Sequence, residues 1–142
     1  MKELLPLLLR ITGAGLILLA LLHVPIGRRL RWREQAARMS DENAAVFHVH
    51  AFFICVVLVI MGLPCLLEPA VFIEKSRAAA WAAWSLCGFW LLRLYCQWFV
   101  YQPKLWRGKR LETFMHGWFT LVWMFLVVVF GACGALQSGW LG

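Results

Sequence analysis

"AAVFHVHAFFICVVLVIMGLPCLL", residues 44–67, is the stretch that decides the fold of this chain. It contains no Asp, Glu, Lys or Arg. Because a helix needs about 20 residues to cross the hydrocarbon core of a bilayer, the stretch is long enough to span a membrane. Its only strongly polar side chains are His48 and His50, two residues apart near its beginning. The stretch therefore predicts a membrane-spanning helix that carries two imidazoles near one end.

Three other apolar stretches have a similar length. They predict spans over residues 4–24, 78–101 and 114–136, and Arg10 and Arg93 lie within the first two of these. Hydrophobic residues make up 63% of the 142 residues and charged residues only 15%, which is too apolar for a soluble domain of this size. We therefore predict an all-α, integral membrane, up-down four-helix bundle, forming a single transmembrane domain over residues 1–142.

The first span is expected to remain in the protein and not to be removed as a signal peptide. Arg10 interrupts its apolar run, and "HVPIGRRLRW" (residues 23–32) follows it in place of a small-residue cleavage site.

Basic residues in the loops predict the orientation of the spans, since cytoplasmic loops carry an excess of Lys and Arg. The loops after the first and third spans hold nine Lys or Arg residues: Arg28, Arg29, Arg31, Arg33, Arg38, Lys104, Arg107, Lys109 and Arg110. The opposite side of the membrane would hold three, Lys2, Lys75 and Arg77. We predict a bacterial inner-membrane protein with both loops cytoplasmic and both termini outside. The net charge of +7 then reflects membrane topology and anionic headgroups, so no nucleic-acid partner is expected.

The loops also contain signals for local structure. "RRLRWREQAARMSDENA" (residues 28–44) alternates basic and apolar residues, which predicts a short helix lying on the headgroups with Trp32 as its anchor. In the second loop, Pro69 is expected to end one helix and Ser76 to cap the next.

With this topology all four histidines fall at the cytoplasmic ends of spans: His23, His48, His50 and His116. Neutral imidazole is the commonest protein ligand of zinc, copper and iron. We therefore predict that this cluster binds a transition metal (Fe, Cu or Zn) or clamps haem b. Two residues along a regular helix correspond to a rotation of about 200° around its axis, so His48 and His50 cannot both face inward. We expect His50 to face inward, because it lies deeper in the span.

Further polar residues are predicted at the same depth. Arg93, Gln97 and Tyr101 have the spacing i, i+4, i+8, and Glu112 and His116 the spacing i, i+4, so each set shares a helical stripe. Polar groups in lipid usually face the bundle interior or a cavity. Glu112 could be a further metal ligand or orient an imidazole. Without a metal, Arg93, Gln97 and Tyr101 with a histidine could hold a quinone carbonyl or a lipid phosphate.

The five cysteines form no C-x-x-C pair and no C-x-x-C-H motif, so neither a disulfide framework nor covalent haem attachment is expected. No serine–histidine–acid set or phosphate-binding glycine loop is present to assign a catalytic residue.

Several motifs resemble a group of small bacterial four-span membrane proteins. They are "LRWREQAARM" (residues 30–39), "VFHVHAFF" (46–53), "RLYCQWFVY" (93–101) and "MHGWFTLVWMFLVVVFG" (115–131). The resemblance implies the four-span architecture and supplies neither a reaction nor a catalytic residue.

Three functions fit the sequence. The first is a redox or accessory membrane subunit that binds metal or haem through the histidine cluster. The second is a structural subunit of a larger membrane complex, or of a homo-oligomer, whose aromatic faces are covered by partners. The third is a small membrane enzyme or transporter that acts on a lipid or quinone.

Overall fold

A computed structural model describes residues 4–140, and these residues form helices joined by short connections, with no strand among them. The α-helices are α1 (Leu4–Arg29), α2 (Trp32–Ala36), α3 (Asp41–Leu67), α4 (Ala70–Ile73), α5 (Arg77–Tyr95) and α6 (Arg110–Gln137). A π-helical segment over Cys96–Val100 continues α5, and a short 3₁₀ turn over Pro103–Leu105 precedes α6. The all-α prediction is confirmed.

Three of these helices, α1, α3 and α6, are long and apolar enough to cross a membrane. The predicted third span, α5, is not among them. Its α-helical part has 19 residues and contains Arg93 and three tryptophans, whose indole N–H groups make it less apolar than its neighbours. The structure therefore supports a helical protein with three candidate spans.

The chain divides into two compact units, an N-terminal unit formed by Leu7–Pro69 and a C-terminal unit that contains the chain from Ala70 onward. The expected single domain and four-helix bundle stay predictions.

In the N-terminal unit α1 and α3 run antiparallel and cross closely. A Cβ atom on Gly13 would lie 2.5 Å from the backbone nitrogen of Leu66 and 2.6 Å from the carbonyl oxygen of Gly62. Any side chain at Gly13 would therefore push the helices apart. Small residues allow this close approach, which is how helices commonly associate inside a bilayer.

Polar caps set the helix ends. Ser40 Oγ accepts from the backbone N–H of Asn43 at 3.5 Å, so α3 begins before the apolar stretch does. Ser76 Oγ accepts from the N–H of Ala79 at 3.0 Å, which confirms the predicted cap of α5. The predicted break at Pro69 and the short helix in loop one, α2, are also present.

In the C-terminal unit α5 and its π-helical continuation lie antiparallel to α6 from Gln137 to His116. At one end Gln137 accepts from the backbone N–H of Ser76 at 3.1 Å and donates to the carbonyls of Phe72 and Glu74 at 2.9 and 2.8 Å. At the other end Gln97 contacts His116. The core between these ends is aromatic, with Trp90 and Phe130 fully buried. This pairing positions every polar residue of the site described next.

Candidate ligand site

Gln97 is the centre of a polar and aromatic cluster at one end of the α5–α6 pair. It lies in the π-helical segment, and only 4% of its surface is exposed. Its Oε1 accepts from Arg93 Nη1 and from Trp123 Nε1, each at 3.4 Å. Its Nε2 donates to Nδ1 and to the carbonyl oxygen of His116, at 3.0 and 3.3 Å. The buried amide therefore uses all of its hydrogen-bonding capacity.

These bonds determine the orientation of the amide and the tautomer of His116. Guanidinium and indole nitrogens only donate, so the amide atom facing Arg93 and Trp123 must be the oxygen. The amide nitrogen then donates to His116, whose Nδ1 must be an unprotonated acceptor. A neutral imidazole in this state has its proton on Nε2. His116 thus keeps an N–H donor at Nε2, which disfavours it as a metal ligand.

Arg93 has polar and aromatic partners and no acidic one among the described residues. Besides the bond to Gln97, its Nη2 donates to Tyr101 Oη at 3.4 Å. Its guanidinium carbon lies 4.9 Å from the ring centroid of Trp123 and 5.4 Å from that of Tyr101. Cation–π contacts of this kind stabilise a charge without neutralising it. Within residues 4–140 no carboxylate forms an ion pair with this positive charge.

Stacked rings form the walls of the cluster. The Trp106 ring lies parallel to that of His116, with centroids 4.5 Å apart. Phe119, Trp123 and Trp90 form a second stack, with successive centroids 5.5 and 5.3 Å apart. Their flat faces fix the imidazole and the guanidinium in place.

Two threonine hydroxyls hold the backbone around these rings. Thr113 Oγ1 donates to the carbonyl of Trp106 at 2.7 Å, and Thr120 Oγ1 donates to that of His116 at 2.8 Å. The first bond ties the loop that carries Trp106 to α6.

The π-helical segment explains how Arg93 reaches Tyr101. In an α-helix a residue eight positions on has turned about 80° past alignment, because one turn takes 3.6 residues. A π-helix has i→i+5 hydrogen bonds and turns less per residue, and here Tyr101 N–H donates to the carbonyl of Cys96. The wider turn offsets the drift. The predicted stripe of Arg93, Gln97 and Tyr101 therefore exists as a connected set.

The other predicted histidines belong to the N-terminal unit. His23 and His48 lie at the same end of that unit, and the rings of Trp32 and Phe47 link them. The expectation that His50 faces the bundle interior stays a prediction. Its side chain is exposed, as is that of His48, and its Nδ1–H donates to the carbonyl of Val46 at 2.9 Å. α3 is a regular helix there, and depth along a helix does not determine which face a residue occupies.

No group of three or more His, Cys, Asp or Glu side chains within residues 4–140 is arranged to hold a metal ion. Glu112 lies half-buried in the first turn of α6, one turn before His116. The structure thus gives the predicted metal and haem sites no support. It places Arg93, Gln97, Tyr101 and His116 together.

Sequence reasoning missed Trp106 and assigned no role to Trp123. Trp123 is seven residues after His116, about two helical turns, so the periodicity of α6 could have placed it on the same face. Trp106 lies in the connection between α5 and α6, where no periodicity applies, and only the folded loop brings it onto His116.

Comparisons with protein-family models, curated proteins and solved structures find no match to this chain.

Proposed function

We propose that this chain is a membrane protein that binds an amphiphilic ligand from the bilayer, a lipid or a quinone, at the cluster around Gln97. The observation that supports this proposal most directly is that the cluster has more hydrogen-bond donors than acceptors. Among residues 4–140 Arg93 uses two of its five N–H groups. Tyr101 accepts through its oxygen and keeps its own proton to donate. His116 presents Nε2–H. A ligand that carries carbonyl or phosphate oxygens would supply the missing acceptors.

Two indole groups strengthen this argument. Nε1 of Trp106 and Nε1 of Trp90 are buried without a hydrogen-bond partner. A buried donor without a partner costs about 1–3 kcal/mol, so such groups are rare in folded proteins unless something satisfies them. Both indoles belong to the two ring stacks of the cluster. A ligand bound beside His116 would offset the cost at Trp106, whose ring stacks on that imidazole, whereas Trp90 lies in the core and is 2% exposed.

The metal and haem function has less support than this one. The described residues offer no metal-binding group, and the hydrogen bond from Gln97 occupies the Nδ1 lone pair of His116. A partner subunit, a homo-oligomer, and enzyme or transporter activity stay predictions.

We further propose that α5 crosses the bilayer as a fourth span, with both termini outside the cytoplasm of a bacterial cell. The 19 residues of α5 and the 5 of the π-helical segment together reach the length that a span needs. α5 also lies along α6, a candidate span, from Gln137 to His116. A helix packed along a span would share its depth. Arg93 would then lie within the membrane beside its aromatic partners.

Saturable photolabelling tests the ligand-binding proposal. The purified full chain in lipid nanodiscs is exposed to a diazirine-bearing phospholipid and to a diazirine-bearing benzoquinone, with and without an excess of the unlabelled compound. We expect labelling that the excess abolishes, at peptides between Arg93 and Trp123. The surface that merely faces lipid would be labelled without saturation.

The N-terminal unit provides the control, because it lacks this cluster and contains two candidate spans. Saturable labelling confined to that unit, or the absence of saturable labelling anywhere, would contradict the proposal.

A further inference from the structure

We propose that the head of the ligand is an oxyanion, such as a phosphate, bound by the guanidinium of Arg93 and the hydroxyl of Tyr101. This inference rests on the proposed function and names the chemical class of its ligand. A neutral quinone and a zwitterionic headgroup would satisfy the donors without balancing the charge.

The charge of Arg93 is the first step of the argument. The guanidinium is always protonated in proteins, and its cost inside a membrane is high unless a partner balances it. Within the described residues its hydrogen-bond acceptors are the neutral oxygens of Gln97 and Tyr101. An anion is the ligand that would remove this cost. The planar array of N–H groups suits two oxygens of a phosphate or carboxylate.

The geometry of Arg93 is the second step. The guanidinium carbon lies 4.9 Å from the ring centroid of Trp123 and 5.4 Å from that of Tyr101. Its Nη1 donates a hydrogen bond to Gln97. A guanidinium that is fixed in advance loses less side-chain entropy when it binds a ligand. Gln97 also holds His116 so that it offers a proton, so Gln97 acts as a positioning residue.

The surroundings are the third step. Residues 93–123 contain five Lys or Arg and one acidic residue, Glu112. The other four basic residues belong to the connection that carries Trp106 and to the start of α6: Lys104, Arg107, Lys109 and Arg110. A positive potential at this end of the C-terminal unit would concentrate anions near the cluster and repel cations.

Tyr101 places the binding groups within reach of a ligand. Its side chain is 43% exposed and that of Arg93 is half-buried, whereas Gln97 is buried. A ligand can therefore contact the guanidinium and the phenol from the surface while the amide network stays intact behind them.

Titration with short-chain ligands tests the inference. Binding to the full chain in maltoside detergent is measured calorimetrically for dihexanoyl phosphatidylglycerol, dihexanoyl phosphatidylcholine, a short-chain benzoquinone and inorganic phosphate. We expect phosphatidylglycerol to bind at least tenfold more tightly than phosphatidylcholine and the quinone. Arg93→Gln should reduce that preference to less than twofold. Tyr101→Phe should weaken phosphatidylglycerol binding severalfold, because one donor is lost while the ring remains.

Arg10→Gln is the matched control, because Arg10 is an exposed arginine of α1 and lies in the N-terminal unit. It should leave the preference unchanged. Arg93→Lys keeps the charge and loses the planar array, so it should retain part of the preference even if Arg93→Gln folds poorly.

Inorganic phosphate distinguishes the two sources of an oxyanion. Phosphate binding as tight as that of phosphatidylglycerol identifies a soluble anion, and tighter binding of the lipid identifies a headgroup. Equal binding of phosphatidylglycerol and phosphatidylcholine by the unmodified chain would overturn the inference, as would a preference that survives Arg93→Gln. If saturable photolabelling of the cluster persists in that case, the proposed function stands and only the oxyanion is wrong.

Discussion

A single buried amide, Gln97, organises the polar cluster. Its oxygen accepts two hydrogen bonds and its nitrogen donates two, and the partners lie on both sides of the α5–α6 interface. Its orientation follows from partners that can only donate, and the tautomer of His116 follows from that orientation. The chemistry that His116 offers to a ligand is therefore set by a neighbour on another helix.

Removing this amide should destabilise the C-terminal unit. In Gln97→Leu the donors of Arg93 and Trp123 and the Nδ1 of His116 lose their partner. We expect a loss of about 1 kcal/mol or more in the free energy of unfolding, measured by denaturant or thermal unfolding in detergent. Gln102→Leu is the control, since Gln102 is exposed. Equal losses in the two variants would show that the network contributes nothing.

Replacing the amide by a carboxylate should separate stability from ligand binding. In Gln97→Glu one carboxylate oxygen still accepts from Arg93 and Trp123, and the negative charge balances the guanidinium. The other oxygen can accept from His116 once the imidazole carries its proton on Nδ1, and only the bond to the carbonyl oxygen of His116 is lost. We expect the preference for phosphatidylglycerol over phosphatidylcholine to disappear while the midpoint of unfolding falls less than in Gln97→Leu. A preference that persists in Gln97→Glu would show that Arg93 does not recognise the charge of the ligand.

At the scale of elements, two helix pairs are built by different means. α1 and α3 approach closely at Gly13 and Gly62. α5 and α6 are joined by Gln137 at one end and by Gln97 at the other, with stacked indoles between. The first pair depends on the absence of side chains, and the second depends on particular side chains.

Adding one methyl group at the close crossing should destabilise the first pair. In Gly13→Ala the new Cβ would lie 2.5 Å from backbone of α3, which side-chain rotation cannot relieve. We expect a loss of about 1–3 kcal/mol, as for other overpacked interfaces. Thermal unfolding in detergent measures it.

Gly15→Ala is the control on the same helix, because a Cβ at Gly15 would meet nothing within 4 Å. Alanine there should be neutral or slightly stabilising, since glycine is the poorer helix former. A variant at Gly13 as stable as the one at Gly15 would refute the close crossing.

At the scale of the whole molecule, the number of crossings determines where the two ends lie. Three spans, α1, α3 and α6, would place the termini on opposite sides of the membrane. If α5 also crosses, both termini lie on one side. Because the loops after the first and third spans hold nine of the basic residues, that side should be outside the cytoplasm.

Reporter fusions can count the crossings. Alkaline phosphatase, which is active outside the cytoplasm, and green fluorescent protein, which is fluorescent inside it, are fused in turn to each terminus of the full chain. We expect phosphatase activity and no fluorescence at both ends. Opposite results at the two ends would show that α5 does not cross, and fluorescence at both would reverse the orientation.

The sequence by itself determined the helical class and the approximate positions of the helices. Apolar runs of about 20 residues leave the backbone no other way to satisfy its hydrogen bonds in lipid. Spacing along one helix also related Arg93 to Gln97, because local periodicity is a property of a single element, whereas Tyr101 joins them through the π-helical segment. Ser76 and Pro69 marked helix ends for the same reason.

Only the tertiary structure decided which side chains from different elements meet. It joined Gln97 to His116 and Trp123, placed Trp106 on the imidazole, and left His50 exposed on α3. Such contacts depend on how one helix is rotated against another and on the path of a loop, and neither is encoded in the periodicity of one helix. Within residues 4–140 the structure therefore supports a cluster of hydrogen-bond donors around Gln97 better than a metal site built from imidazoles.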